Sequence, residues 1–320
     1  MMKILPALLL ACVAFTQTAL ASEDIPDKYP ESPLYDRPTE VVPGVVWSAI
    51  GATAPPTFEN TGHNNNLSFI VTSEGVVVVN GGAAYILAKA LHEEIKKLTD
   101  QPVVLVIDEN GQGHAMLGNS YWQEQGVTIL AHSDAAHEFE DRGFDILDNM
   151  KRYNRDKSEG SFIALPTETF EDSKTMELGG VTIEVINFGP AHSPGDISVW
   201  LPQHSVVIAG DMAFHQRMLP VFDDTDTGAW LESWEKFAAL EAEIVIPGHG
   251  EPTTMEEVTK YTKDYLVYMR EQIEDILDND GDLGDASKID QSAYAHLDTF
   301  EQLAGRNASR IFQQMEFEAW

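Results

Sequence analysis

The sequence predicts an α/β fold in which two β-sheets pack face to face and helices cover their outer sides, an αββα sandwich. The first observation is a strand–helix–strand succession with short joins over residues 67–108, which is typical of layered α/β proteins. The second is that the strand-like segments fall into two groups along the chain, each accompanied by helix-like segments. With 320 residues, 43% of them hydrophobic, the chain is long enough to bury such a core.

The first group begins with a hairpin, "LSFIVTSEGVVVVNGG" (67–82), in which Ser-Glu-Gly separates two β-rich runs. Apolar residues at helical spacing or in short unbroken runs predict the elements that follow. These are a helix (85–98), a strand (102–108), a helix (117–126), a strand (127–133) and a helix (134–156).

The second group also opens on a hairpin, "TMELGGVTIEVINFG" (175–189), whose Gly-Gly pair suits a tight turn. Three short strands follow, "DISVWLP" (196–202), "SVVIAGD" (205–211) and "EIVIPGHG" (243–250). Helices are predicted over 227–240 and, as one long element, over 254–277, and the remaining tail is predicted to be helical.

The N-terminal segment predicts a secretory signal peptide. It has one lysine, an apolar run too short to span a bilayer, and Ala19 and Ala21 at the positions that favour cleavage after residue 21. A buried N-terminal helix and a lipoprotein site at Cys12 are the alternatives. Because Cys12 is the only cysteine and lies in this segment, the mature chain has no thiol for a disulfide or a metal. We therefore expect a periplasmic or secreted protein.

The charge argues against several classes of partner. The formal net charge is −32 at pH 7, which repels phosphate backbones and anionic lipid. We therefore expect no nucleic acid, no membrane insertion after signal cleavage, and a small-molecule substrate. A homodimer is the oligomer that the sequence leaves open.

Unusual residues gather where predicted strands end in glycine- or proline-bent loops. The four segments are "GQGHAMLGN", "GPAHSPGD", "IAGDMAFH" and "IPGHG". A rigid scaffold presents functional groups in such loops, so these segments predict a site.

In order and spacing, these segments resemble the metallo-β-lactamase superfamily of metallohydrolases over residues 45–260. The resemblance implies an αββα sandwich with a metal site at one edge. Together with the composition of the two ends, it predicts four segments: a signal peptide (1–21), an extended acidic arm (22–43) that is rich in proline, a metallo-β-lactamase-like domain (44–260) and a C-terminal helical extension (261–320).

The first motif departs from the family pattern His-x-His-x-Asp-His. Aligning the family's glycine with Gly118 places Asn110, Gln112, His114 and Ala115 at the four ligand positions. Asn80 likewise replaces an acid at the end of its strand. Amides are poor metal ligands and good hydrogen-bond partners, so Asn110 and Gln112 are candidate substrate-binding residues.

The later family ligands are kept as His192, Asp211 and His249, and with His114 they form the predicted metal set. The resemblance implies one divalent metal, zinc with iron as the alternative, that activates a water held by Asp211. His215, four residues after Asp211, is a candidate proton donor or further ligand. His63, His132 and His137 match no family ligand position and are predicted to be structural or surface residues.

Two hypotheses for the function follow. The first is a secreted hydrolase with one metal, acting on an ester, lactone, thioester or amide. The second is a non-catalytic periplasmic binding or accessory protein that keeps the fold. The joint presence of His192, Asp211 and His249 favours the hydrolase, because a binding module has no chemical need for the three together.

Overall fold

The computed structural model describes residues 28–318. The predicted signal peptide and Cys12 lie outside these residues, and secretion stays a prediction. Among the described residues, no helix combines the length and the apolar character needed to cross a bilayer.

Two mixed sheets form the centre of the molecule. The strands are β1 (Thr39–Val42), β2 (Val46–Ala49), β3 (Leu67–Thr72), β4 (Gly75–Val79), β5 (Val103–Ile107), β6 (Thr128–His132), β7 (Glu168–Phe170), β8 (Ser173–Leu178), β9 (Val181–Ile186), β10 (Ser198–Leu201), β11 (Val206–Phe214) and β12 (Ile244–His249). The first sheet has the order β1-β2-β3-β4-β5-β6-β7 and the second has the order β12-β11-β10-β9-β8. Strands β4 to β7 run parallel to one another, as do β11 and β12.

Helices cover both outer faces. They are α1 (Tyr85–Leu98), α2 (Gly113–Met116), α3 (Asn119–Glu124), α4 (Ser133–Asn154), α5 (Thr227–Ala238), α6 (Met255–Tyr261), α7 (Lys263–Asp278), α8 (Leu283–Ala286) and α9 (Phe300–Glu318). Short 3-10 turns lie at Arg155–Ser158, Pro202–His204 and Ser292–Tyr294.

Three buried apolar clusters show how these layers stack. One lies between the sheets and joins side chains such as Val77 and Ile107 of the first to Val199 and Ile246 of the second. Another packs α1, α3 and α4 on the first sheet, and the third packs α5, α7 and α9 on the second. This is the predicted αββα arrangement, and both predicted hairpins are present as β3-β4 and β8-β9.

The structure differs from the sequence expectations at two joins. The predicted single helix over 254–277 is divided into α6 and α7 at Thr262, whose hydroxyl accepts a hydrogen bond from the backbone N–H of Phe214. The strand predicted to end at Asp211 continues to Phe214. At its end, β11 both pairs with β12 and contacts Thr262, and local sequence patterns do not record either contact.

The two terminal segments pack on the central domain. Within the predicted arm, Leu34 and Tyr35 are buried and residues 39–42 form the edge strand β1. In the predicted extension, α9 packs on α7 over the second sheet. The domain boundaries themselves stay a prediction.

Candidate metal centre

Three side chains from separate elements converge at one edge of the sandwich. His114 lies on α2 just after β5, Asp211 lies within β11, and His249 ends β12. Each offers one ligand atom, and these atoms lie within 4.8 Å of one another. Among the described residues, this is the cluster of His, Asp and Glu side chains whose spacing suits a metal ion.

Two glycines make this convergence possible. A Cβ on Gly248 would lie 2.2 Å from Asp211 Oδ1, so only glycine lets the carboxylate approach β12. Gly210 has a φ of +62° and a Cβ there would lie 2.1 Å from Glu109 Oε2. The register between β11 and β12 is irregular at this point, and the bulge turns Asp211 towards the sheet edge.

Backbone contacts orient the His249 ring. Its Nδ1 makes a short hydrogen bond to the carbonyl of Asn64, and since a carbonyl only accepts, Nδ1 carries the proton. Nε2 is then the unprotonated nitrogen, and it lies 3.4 Å from Asp211 Oδ1. This is how metal-binding imidazoles are usually held. Burial and then Arg217 keep the pKa of His249 well below its usual value, so the ring is neutral.

The His114 ring is placed between two carboxylates. Its Nε2 lies 3.0 Å from Glu109 Oε1 and 3.6 Å from Asp211 Oδ2. Burial alone would lower the pKa of His114, but the charges of Asp211 and Glu109 outweigh it and raise the pKa. Without a metal, His114 therefore tends to be protonated and to neutralise these acids.

The buried carboxylates of the site suit a cation. Glu109, Asp196 and Asp211 are buried beside Arg217. Burial and then the charge of Asp211 raise the pKa of Asp196 well above its usual value, which favours its neutral form. Burial, followed by the charge of Glu109, raises the pKa of Asp211 to about 7, and Asp211 Oδ1 is buried without a hydrogen-bond partner. A divalent cation in place of the His114 proton would compensate the charges of Glu109 and Asp211. Two imidazoles and a carboxylate are a ligand set of both catalytic zinc and non-haem iron.

The two amides of the altered motif have different surroundings. Asn110 is fully buried, and its Nδ2 donates to Asp196 Oδ1 at 3.1 Å and to Asp211 Oδ2 at 3.3 Å. Asn110 therefore ties the metal-facing carboxylate to the loop after β9. Gln112 directly precedes α2 and lines the pocket beside His114. Their predicted role in substrate binding stays a prediction, and of the two only Gln112 faces the pocket.

His192 is buried in the same pocket but outside the three-residue cluster. Its ring packs against Phe222 at 4.9 Å and Nδ1 has no hydrogen-bond partner. Burial, then the charges of His114 and Arg217, lowers the pKa of His192 to about 3. The sequence predicted His192 with the other three ligands, and the structure brings together only His114, Asp211 and His249.

His215 lies outside this pocket. Its Nδ1 is 2.9 Å from the carbonyl of Glu251, its ring stacks on Tyr261, and it lines a separate cavity with Lys28. Its predicted part in catalysis stays a prediction.

The other singled-out residues have structural surroundings. His63 is fully buried and accepts a hydrogen bond from the Tyr35 backbone, His132 caps α4, and His137 is exposed. Asn80 has a φ of +73° and accepts a hydrogen bond from the Glu109 backbone, so it supports the start of the loop that follows β5.

Sequence reasoning missed two charged residues of the site, Glu109 and Arg217. Glu109 stands directly before the altered motif, so its position in the loop just after β5 is a usable signal. Arg217 carried no such signal, because its loop reaches the site only through tertiary contacts.

The comparisons with known proteins agree with this geometry. The family model of the metallo-beta-lactamase superfamily matches residues 114–249, so it begins and ends on the two clustered histidines. The structure matches that of a metallo-beta-lactamase from Pontibacter korlensis with a TM-score of 0.58 and 20% identity, covering 70% of this chain and 95% of the other. Over residues 114–249 the chain is therefore similar to the metallo-beta-lactamase superfamily. It has the predicted fold and a partial metal site of three ligands.

Curated relatives of the chain are distant. A linear primary-alkylsulfatase of Pseudomonas sp. (strain ATCC 19151) is 23% identical over 241 residues, which cover 63% of this chain and 45% of that protein. The metallo-beta-lactamase type 2 of Bacteroides fragilis is 25% identical over 194 residues, covering 57% of this chain and 70% of the other. The matched region thus spans less than half of the alkylsulfatase.

Proposed function

We propose that the protein is a metal-dependent hydrolase with one divalent ion, zinc with iron as the alternative, held by His114, Asp211 and His249. Its proposed substrates are esters, lactones, thioesters or amides, and its proposed location is the periplasm or the exterior. The observation that carries the proposal is the convergence of these three ligand atoms within 4.8 Å in a pocket. A divalent ion there would supply a Lewis acid and an activated water.

The pocket around the cluster suits a small substrate with an apolar part. Its volume is about 270 Å³. Ile146 and Tyr153 of α4 form one wall, and Pro220 and Phe222 of the loop after β11 form another. These side chains exclude water from the scissile bond, and the amide of Gln112 can orient the substrate by hydrogen bonding.

The relatives add two candidate bonds. One is named a linear primary-alkylsulfatase and others are named metallo-beta-lactamases. Sulfate esters therefore join the carboxylic esters in our proposal, and β-lactams are one of the proposed amides.

The first experiment measures metal by elemental analysis of the purified full-length chain without an affinity tag. We expect about one zinc or iron per chain. Asp211→Ala and His249→Ala are expected to lose it because each removes one of three protein ligands. His192→Ala is the matched control, since this buried histidine lies in the same pocket outside the cluster. Loss of metal in His192→Ala with retention in His249→Ala would contradict the assigned ligand set.

Hydrolysis is then tested on the metal-loaded chain with chromogenic esters, a thioester, a lactone, a β-lactam and an alkyl sulfate. Turnover that disappears in His249→Ala and persists in an exposed-residue control such as His137→Ala would support the proposal. A metal-loaded chain inactive on every class would count against it.

A second candidate function is that of a non-catalytic binding protein. The contact of 3.0 Å between His114 Nε2 and Glu109 Oε1 favours it, because this ion pair neutralises part of the site without a metal. If the chain takes up no zinc or iron even when either is supplied in excess, this second function is the better account.

A further inference from the structure

Glu109 is a buried carboxylate that contacts the three clustered ligands from outside the altered motif. It is 1% exposed and stands one residue before Asn110, so it matches none of the four ligand positions of that motif. Its Oε1 lies 3.0 Å from His114 Nε2, and its Oε2 is buried with no hydrogen-bond partner. Burying a carboxylate with one oxygen unpaired is unfavourable, because the lost hydration is not replaced. Glu109 is therefore able to bind a cation.

Glu109 meets the nitrogen of His114 that also faces Asp211. This nitrogen, Nε2, lies 3.6 Å from Asp211 Oδ2. A carboxylate that only orients a metal-binding histidine accepts a hydrogen bond from the other ring nitrogen, on the side away from the ion. Here the two carboxylates approach the same nitrogen. An ion that takes the place of the proton on Nε2 would therefore lie beside both of them.

Backbone contacts hold Glu109 in this position. Its N–H donates to Asn80 Oδ1 at 3.0 Å, and its carbonyl accepts from the N–H of Ile197 at 2.9 Å. A Cβ on Gly210, the residue before Asp211, would lie 2.1 Å from Glu109 Oε2, so the glycine leaves room for the carboxylate. The residue is thus held before any ion arrives, which lowers the ordering cost of binding.

The carboxylate needs a small rotation to bind an ion. Glu109 is not one of the three residues whose ligand atoms all lie within 4.8 Å of one another, so it must turn from His114 towards the ion. The rotation breaks the hydrogen bond to His114, and this bond is lost in any case when an ion replaces the proton on Nε2. The second oxygen has no partner to lose. Two ionised carboxylates, Glu109 and Asp211, then balance the charge of a divalent ion.

We propose that Glu109 is a fourth protein ligand of the divalent ion and compensates for the imidazoles missing from the first motif. This inference rests on the proposed function for the presence of the ion. With the three clustered ligands, Glu109 gives a set of two nitrogens and two oxygens. Imidazoles suit zinc and iron, whereas carboxylate oxygens suit manganese(II). Glu109 should therefore raise the affinity of the site for manganese relative to its affinity for zinc.

The test measures metal affinity rather than turnover. Zinc and manganese are titrated separately into the metal-free full-length chain without an affinity tag, in competition with a chromogenic chelator. We expect Glu109→Gln to weaken manganese binding about 10-fold or more and zinc binding by a smaller factor, because an oxygen ligand is lost. The visible absorption of bound cobalt(II), which responds to the number and kind of ligands, is expected to change as well.

These readouts separate a ligand from a residue that only orients His114. Glutamine has the shape of glutamate, and its amide oxygen can still accept a hydrogen bond from His114 Nε2. The variant therefore keeps an orienting contact and loses only the carboxylate. Loss of an orienting contact alone would weaken zinc and manganese binding by the same factor.

Glu138→Gln is the matched control. Glu138 is a largely buried glutamate of α4 that pairs with Arg142 at 3.1 Å, and its charge also interacts with His114. Its loss removes the same charge near the site, so the ratio of manganese to zinc affinity should stay that of the parent. The thermal midpoint in EDTA is measured for each variant. If Glu109→Gln does not fold, Glu109→Asp withdraws the carboxylate by one methylene and is expected to weaken manganese binding about threefold or more.

Three results would overturn the inference and leave the proposed metal site in place. These are unchanged affinities in the Glu109 variants, an equal loss of zinc and manganese affinity with unchanged cobalt absorption, and the same change of ratio in Glu138→Gln. A parent that binds neither zinc, manganese nor cobalt would overturn the metal-dependent hydrolase together with the inference. Glu109-dependent metal binding in a chain that hydrolyses none of the tested bonds would instead refute the hydrolase and leave the fourth ligand supported.

Discussion

Asp211→Asn is expected to make the metal-free chain more stable and the zinc-loaded chain less stable. In the metal-free fold, burial and the charge of Glu109 raise the pKa of Asp211 from 3.8 to about 7. That rise corresponds to roughly 4 kcal/mol against the ionised form above pH 7. Because water entering the site and relaxation of the fold relieve part of this cost, we expect a gain of about 2 kcal/mol in the free energy of unfolding.

The dependence on pH gives the same prediction a second test. The pKa of Asp211 is higher in the folded chain than in the unfolded chain. The protonated carboxyl therefore stabilises the fold below about pH 4, and this contribution is lost as the pH rises towards 7. Asn110 donates to Asp211 Oδ2, and an asparagine oxygen accepts the same hydrogen bond, so the variant keeps this contact. The advantage of Asp211→Asn should therefore grow between pH 4 and pH 7.

The assay is urea unfolding at pH 8 in EDTA and in excess zinc. Zinc should stabilise the parent and leave Asp211→Asn nearly unchanged, because an amide is a poor ligand. Asp145→Asn, an exposed change on α4, is the control for removing one negative charge. A variant less stable than the parent in EDTA, or equally stabilised by zinc, would refute the reasoning.

Three further changes probe the supports of the site. Between pH 7 and pH 5, we expect the free energy of unfolding to fall by roughly 2 kcal/mol less in His63→Asn than in the parent, as measured by urea unfolding. Burial lowers the folded pKa of His63 from 6.5 to about 4, so its stabilising effect is present above pH 6.5 and fades as the pH falls; an equal loss in both proteins would contradict this. Gly248→Ala should lower zinc affinity about 10-fold or more in a competition titration, because the added Cβ meets Asp211 Oδ1; unchanged affinity would count against the close approach. Asn307→Ala should cost about 2 kcal/mol or more in urea unfolding, since its amide bonds the carbonyl of Leu219 and the N–H of Val221, whereas exposed Arg306→Ala should cost little.

Much of the fold could be predicted from the sequence because its signals are local. Unbroken apolar runs such as 75–79 become strands buried on both faces, and helical spacing over 85–98 becomes α1. The Gly179–Gly180 turn sets the β8-β9 hairpin. The division of the 254–277 segment at Thr262 could not be predicted, since the Phe214 N–H that Thr262 accepts comes from a distant strand.

The metal site could be predicted only in part from the sequence. The order of the motifs singled out His114, Asp211 and His249, which the structure brings together. The motif pattern did not show that His192 lies outside this cluster, because the distance of a side chain from the cluster depends on the conformation of the loop that carries it.

The sequence by itself determined the layered fold, the family resemblance and the residue types that can bind a metal, because spacing and composition are properties of the chain. Only the tertiary structure decided which ligand atoms meet, and that Arg217 enters the pocket with no acidic partner among the described residues. The physical reason is that charge and coordination depend on distances of a few ångströms between elements far apart in the chain. Those distances are set by packing of the sheets and of the C-terminal segment, and no local pattern records them.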